Sequence, residues 1–408
     1  MSHLKHSAYR IERDILDQNT LSEQEFQSKL IHAYTKKIRP VCLCIDTGIP
    51  MYIAKVSGKL HIKRMPNTGS QHHSNCQSYE PPAELSGLGQ LLGTAIQEDA
   101  ESGAITLKLD YALTKVAGRV APVPSSDEPA DSVTTDGNKM TILSTLNFLW
   151  EEAQFNRWTP AMKDKRNWYV IRKYLIEATQ NKHSKGTALS NIIFIPETFR
   201  LEEKDNISHR RNALFTKVIA QKGGARSLLI GLGDIKEIGQ SRYGYKIVFK
   251  QLPDCPFMLN EDVHKRLKKR FEKEMGLWNA LDDSKLIAIF TFSVNENLIP
   301  NIEEIALMNV TAQWMPFDNI YEKHLIDAMT NHNRRFIKGA RYNQSKLTPM
   351  ATLVATDTAN SSTAMYIIPP GSSEAYQSSL DTLINESGLS SWVWRSDQDK
   401  MPALPELA

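Results

Sequence analysis

The spacing of apolar residues changes several times along the chain. Phe26, Leu30 and Tyr34 recur every four residues behind Ser22-Glu-Gln-Glu25, a capping box, so residues 8–36 read as helical. Residues 50–56 and 59–64 then read as two strands that meet at Ser57-Gly58, which predicts a β-hairpin. Residues 84–98 read as a helix and 104–113 as a strand. From 117 to 140 Pro, Ser, Asp and Thr replace the periodic pattern and mark a linker. Beyond it, 141–155, 165–179 and 208–220 carry helical patterns, and 191–195 a strand. Residues 227–238 and 243–251 predict a second hairpin. Val263, Leu267, Phe271, Met275 and Trp278 form the apolar stripe of a helix over 261–279. Residues 286–294 and 302–311 are strand-like. The final stretch reads as helix 319–331, strands 336–342, 350–356 and 363–368, helix 373–387 and strand 391–395.

This alternation predicts an α+β, multi-domain protein: an N-terminal region (1–116) bearing a hairpin at 38–80, the linker 117–140, a middle mixed helical and β region (141–310), a C-terminal α/β unit (311–396) and a tail (397–408). The length of 408 residues suits two or three cores. Charge excludes little. With 49 Lys+Arg against 46 Asp+Glu, no global field marks a nucleic-acid binder, and only local patches can carry that reading. No run of about 18 apolar residues predicts a membrane span, and the first residues lack a secretory signal's apolar stretch. Four cysteines are no disulfide framework. The expectation is a cytoplasmic protein with reduced thiols.

The cysteines carry the clearest chemistry. Cys42 and Cys44 precede the first hairpin, and His72-His73 with Cys76 follow it. The hairpin brings both groups together, and three thiolates with an imidazole suit tetrahedral Zn²⁺ at a closed structural site. A small hairpin buries too little apolar surface alone, and a structural zinc supplies folding energy on the order of 10 kcal/mol. His72, through His72-x₃-Cys76, is the expected ligand, with His73, through His73-x₂-Cys76, as the alternative. Cys-x-Cys departs from the usual finger spacing. Cys255, isolated, reads as a buried thiol.

Two patches mix cations with aromatic rings, a combination that grips phosphates while rings stack on bases. One is Arg157, Lys165, Arg166, Trp168, Arg172 and Lys173, and the other is Arg334, Arg335, Lys338 and Arg341. The competing reading is that the rings are core and the cations cap helices or lie along apolar surface. The helical pair 141–155 and 165–179 with the later hairpin could form a winged-helix-like unit. The cations of 261–279 are interspersed with Glu261, Asp262, Glu272 and Glu274, so that face reads as solvated. Gly231-Leu-Gly233 lacks the third glycine and following helix of a dinucleotide loop and reads as a tight bend.

The order helix-strand-strand-strand-helix-strand at the C-terminus is similar to the core of PD-(D/E)XK, restriction-endonuclease-like nucleases. That resemblance implies two carboxylates holding Mg²⁺ and a lysine at the scissile phosphate. Here Met350-Ala351 stands at the Pro-Asp position and Met365-Tyr366-Ile367 at (D/E)-x-K, leaving Glu322 and Asp357 as catalytic candidates. The whole chain, from about residue 38 to 395, resembles the bacterial domain of unknown function family 1173. The likeness lies in Cys42-Leu-Cys44, Arg64-Met-Pro-Asn-Thr-Gly69, His72–Tyr79, Leu149–Trp158, Arg166–Lys173 and Arg242-Tyr-Gly-Tyr-Lys246. It implies a setting on plasmids and integrative and conjugative elements. The expectation is a non-catalytic, zinc-containing, DNA-associated accessory protein of a mobile genetic element (a pseudo-nuclease). The alternatives are a Mg²⁺-dependent nuclease and an interaction subunit with protein partners encoded on the same element, and none of the three involves a membrane.

Overall fold

The capping box fixes where the first helix starts. In a computed structural model, which describes residues 8–17, 21–56, 58–99, 102–115, 138–219, 226–359, 362–397 and 400–408, Ser22 Oγ accepts from the Glu25 amide at 3.3 Å. Glu25 Oε2 accepts from the Ser22 amide at 3.1 Å, and α1 runs Glu23–Thr35. The helix does not extend back to residue 8. There β1 (Ala8–Ile11) and β2 (Asp14–Asp17) form a hairpin that turns at Glu12, φ 54°, and β1 pairs with β3 (Val41–Cys42). Long-range pairing overrides local pattern here. β4 (Ile49–Val56) and β5 (Lys59–Arg64) form the expected hairpin and complete a sheet of order β2-β1-β3-β4-β5. Residues 117–137 of the expected linker lie outside the described residues.

The helix expected over 84–98 is absent. Short 3₁₀ turns at Ala83–Leu85 and Gly87–Gln90 lead into β6 (Ile96–Glu98). Gly87 lies so close to the carbonyl of Arg341 that a Cβ would sit 1.8 Å from it. The glycine serves a close chain crossing that a helix would block. β7 (Ile105–Leu107) and β8 (Thr114–Lys115) follow, then α2 (Ile142–Glu152), β9 (Arg157–Trp158) and α3 (Trp168–Ala178). β10 (Lys182–Ser184) and β11 (Thr187–Ala188) join β7 and β6 in one sheet, so a pair expected in the N-terminal region belongs to the middle one. α4 (Leu189–Ile192), β12 (Ile193–Phe194), α5 (Lys204–Thr216) and β13 (Arg226–Ser227) complete this stretch.

The second hairpin is β14 (Leu229–Gln240) with β15 (Tyr245–Phe249), followed by β16 (Phe257–Leu259). It is not a wing on the two helices. β14 pairs with β15 through its second half and, through Leu229–Asp234, with β17 (Lys285–Val294). β17 pairs with β18 (Pro300–Val310), which runs parallel to β16 at Asn301 and Met258. Five strands thus close a ring, β14-β15-β16-β18-β17, with α6 (Glu261–Arg270) and α7 (Glu272–Ala280) between its third and fourth strands in sequence. The single helix expected over 261–279 breaks at buried Phe271, φ −119°. Phe249, Phe257, Phe290 and Phe292 pack with centroids 5.0–5.7 Å apart. Gly231 and Gly233 lie inside β14 and make no bend. A Cβ on either would strike Phe290 at 2.2 Å or Phe249 at 2.7 Å, so they make room for rings.

β19 (Pro316–Phe317) leads into the C-terminal unit: α8 (Ile320–Asn331), β20 (Phe336–Lys338), β21 (Leu353–Ala355), β22 (Thr363–Ile368), α9 (Glu374–Ser387) and β23 (Ser390–Arg395). The expected order of elements holds. β20, β21 and β22 are antiparallel neighbours, β23 runs parallel to β22, and β9 adds an edge beside β20. That edge strand comes from the middle region, and its Trp158 packs with Phe336, Leu325 and Met329. Among the described residues no helix is long and apolar enough to cross a membrane.

Candidate metal centre

Cys42 ends β3, Cys44 lies two residues on, and the chain returns after β5 through a 3₁₀ turn at Gly69–Gln71 to His72 and Cys76. All four side chains are buried, and their donor atoms lie within 4.8 Å of one another. The Cys42 and Cys76 sulfurs are 3.7 Å apart, and His72 Nδ1 stands 3.3 Å from Cys44 Sγ and 3.7 Å from Cys76 Sγ. These separations fit a tetrahedron: bonds of about 2.3 Å to sulfur place thiolates about 3.8 Å apart. Amides of His73 and Ser78 donate to Cys44 Sγ at 3.5 Å and Cys76 Sγ at 3.4 Å, as suits sulfurs carrying negative charge. Hydrogen bonds from Cys42 and Cys76 hold the Cys44 thiol well below its usual range, while the bond to Cys44, then that to Cys76 and burial, push Cys42 up. Three thiols and an imidazole form a donor set compatible with zinc. The structure brings His72 into the set. His73 is exposed, and its Nδ1 accepts from the Asn75 amide at 3.2 Å.

The cluster also packs against the C-terminal sheet. Ile337 of β20 shares its apolar surroundings with Tyr9, Met51 and Tyr79. Arg157 of β9 donates to the Tyr79 carbonyl, and Arg335 Nη1 lies 3.5 Å from Asn75 Oδ1. Residues 68–80 therefore link the metal ligands to the β9–β20 edge.

The nuclease candidates are not brought together. Glu322, on α8, meets Lys338 Nζ at 3.2 Å at the end of β20, and both side chains are buried. Asp357 meets Arg334 at 3.0 Å and accepts from the Arg335 amide at 2.6 Å, before the start of β20. The two pairs therefore sit at opposite ends of β20. Each carboxylate has its own cation, and no third acidic group joins either among the described residues.

The profile of the family described as protein of unknown function (DUF1173) matches residues 9–397. The chain belongs to that family. No curated protein and no solved structure matches it.

In this DUF1173 member most of the sequence-predicted phosphate contacts turn inward. Arg166 donates to the carbonyls of Phe155 (3.1 Å), Gln313 and Gln154 (both 3.3 Å) and lies over the Phe155 and Trp158 rings. Burial pushes its guanidinium down to about 10. Trp168 is core, its Nε1 donating to the Pro196 carbonyl at 2.8 Å. Arg172 donates from Nε to the Ile195 carbonyl at 3.0 Å and lines a cavity of about 290 Å³ with Arg210 and Arg211. Arg334 and Lys338 are buried in the pairs above, and Arg341 binds the Ser345 and Thr348 carbonyls at 3.2 and 2.9 Å. Lys165, Lys173 and Arg335 stay exposed.

Two features were given no role in the sequence reading. Tyr342 donates to Glu151, and burial, which outweighs that bond, pushes the Glu151 carboxyl up to about 8. The β14–β15 tip presents Tyr243, 80% exposed, with the Arg242 guanidinium 5.4 Å from its ring. The sequence signals for the tip are the predicted hairpin over 227–251 and the motif Arg242-Tyr-Gly-Tyr-Lys246, whose Gly244 turns at φ 91°.

Proposed function

We propose that the chain is a zinc-containing, non-catalytic, DNA-associated accessory protein of a mobile genetic element. The observation that carries this reading is the outer face of α3 and the segment before it. Lys165, Tyr169 and Lys173 follow one another at four-residue spacing and are all exposed, Tyr169 by 64%. Lys173 Nζ stands 5.3 Å from the Tyr174 ring. Neither lysine has an ion-pair partner among the described residues, so both are available to phosphates while the rings offer faces to bases. Zinc at Cys42, Cys44, His72 and Cys76 is structural: it closes the loop that docks on β9 and β20. The separate, self-paired positions of Glu322 and Asp357 favour a scaffold over a nuclease.

The test is fluorescence anisotropy of labelled DNA with the full chain at low and moderate salt, Mg²⁺ present, products then run on a gel. The expected result is salt-sensitive binding of intact DNA, with Lys173→Ala lowering the log–log salt slope by about one. Absence of binding at low salt overturns the reading. Mg²⁺-dependent cutting would replace it with the nuclease.

A further inference from the structure

We infer that the closed five-stranded ring is a binding module for single-stranded nucleic acid, with its contact surface at the β14–β15 tip and the adjoining barrel end; this rests on the nucleic-acid reading above and names the substrate class. The ring order, first-second-third-fifth-fourth and back to the first, is that of OB barrels, with the third and fifth strands parallel and a helix between the third and fourth. OB barrels take extended strands across their second and third strands and between the loops that join strands one to two and four to five. Topology alone assigns no ligand. The side chains at that end do.

The strand registers place both loops together. Asn301, the second residue of β18, pairs with Met258, Met258 pairs with Lys246, and Lys246 pairs with Gly239, just before the tip. The tip residues 241–244 and the loop 295–299 therefore share one end of the barrel. At that end Tyr243 offers a nearly free ring with Arg242 over it. Lys246 is part-exposed and forms a long ion pair with Glu237 at 3.8 Å. Asn297 is exposed and Ile299 is 41% exposed on the opposing loop. Tyr245, under the tip, stacks on His264 of α6 with centroids 3.4 Å apart, which fixes the root of the hairpin. A free aromatic face beside cations suits unstacked bases on a phosphate chain, because a duplex keeps its base faces covered. A neutral oligosaccharide, the other common OB ligand, would leave the Arg242 charge unmatched.

The experiment measures binding of the full chain to a labelled oligothymidylate of about 16 nucleotides, a duplex of equal length, and oligouridylate, at about 50 mM and about 200 mM salt. The expected result is single-strand affinity at least about ten-fold above duplex, falling about ten-fold in Tyr243→Ala and preserved in Tyr243→Phe. Arg242→Ala should lower the salt slope by about one. The tip is exposed, and an unchanged unfolding midpoint confirms that the variants fold. Thymidylate against uridylate separates DNA from RNA as the source of the strand, and either preference supports the inference. Duplex bound as tightly as single strand, or Tyr243→Ala binding like wild type, overturns it while leaving the DNA-associated reading in place. No binding to any probe overturns both.

Discussion

The N-terminal cluster and the C-terminal sheet both bury charge-bearing side chains, and they resolve that burial in opposite ways. Around Cys42, Cys44, His72 and Cys76 the ligand atoms converge, all within 4.8 Å of one another. In the sheet, Glu322 faces Lys338 and Asp357 faces Arg334, each pair closed on itself. A buried group with its own counter-charge needs nothing further. A buried set of converging thiols and an imidazole offers a cation a ready set of ligands. Convergence of ligand atoms on one point, not the presence of acidic residues, separates a candidate metal centre from a scaffold here.

The largest effect that can break this comparison is loss of a thiol. Purified protein should hold close to one zinc per chain, and Cys76→Ser should lose both the metal and soluble yield, since structural zinc contributes on the order of 10 kcal/mol. Elemental analysis decides it: full metal retention in the variant would sink the assignment. The next effect sharpens the other half. Lys338→Met strands the Glu322 carboxylate and should cost about 3–5 kcal/mol in urea unfolding, while Lys338→Met with Glu322→Leu should recover most of the loss. If the double variant is as unstable as the single one, the pair is not what Lys338 supplies.

Much of this contrast was legible in the sequence, and the illegible parts share a cause. The cysteine and histidine spacing around 50–64 pointed to the cluster, because a hairpin's ends must meet. The C-terminal elements followed from local periodicity alone. What local pattern could not carry was pairing at a distance. β1 reads as helix until β3 is placed beside it, and Gly231-Leu-Gly233 reads as a bend until Phe290 and Phe249 occupy the space. Ring closure depends on β14 meeting β17 more than fifty residues later, and on a parallel contact at Asn301. Cations were misplaced for a related reason: Arg166 has the same spacing from Trp168 whether it faces solvent or the carbonyls of Phe155 and Gln313. Side-chain type gives chemistry, but only tertiary contacts say whether that chemistry is already spent.

Glu151 is the intermediate case and gives the smallest effect. It has no converging set, the cation that acts on it, Lys338, is paired with Glu322, and its bonded partner is the neutral Tyr342 hydroxyl. Burial raises its carboxyl to about 8, against about 4.3 in the unfolded chain. Between those values the folded chain holds a proton that the unfolded chain has released, so stability from this group declines as pH rises through that window and levels off above it. Glu151→Gln removes the ionisation while keeping an acceptor for Tyr342. The variant should match wild type near about pH 5 and exceed it by on the order of 1 kcal/mol near about pH 8.5, a small gain because the side chain is only part-buried. Urea midpoints across that range check it. A slope as steep in the variant as in wild type would mean that Glu151 ionises with the ordinary carboxylates, and that its surroundings beside the neutral Tyr342 hydroxyl do not hold the proton.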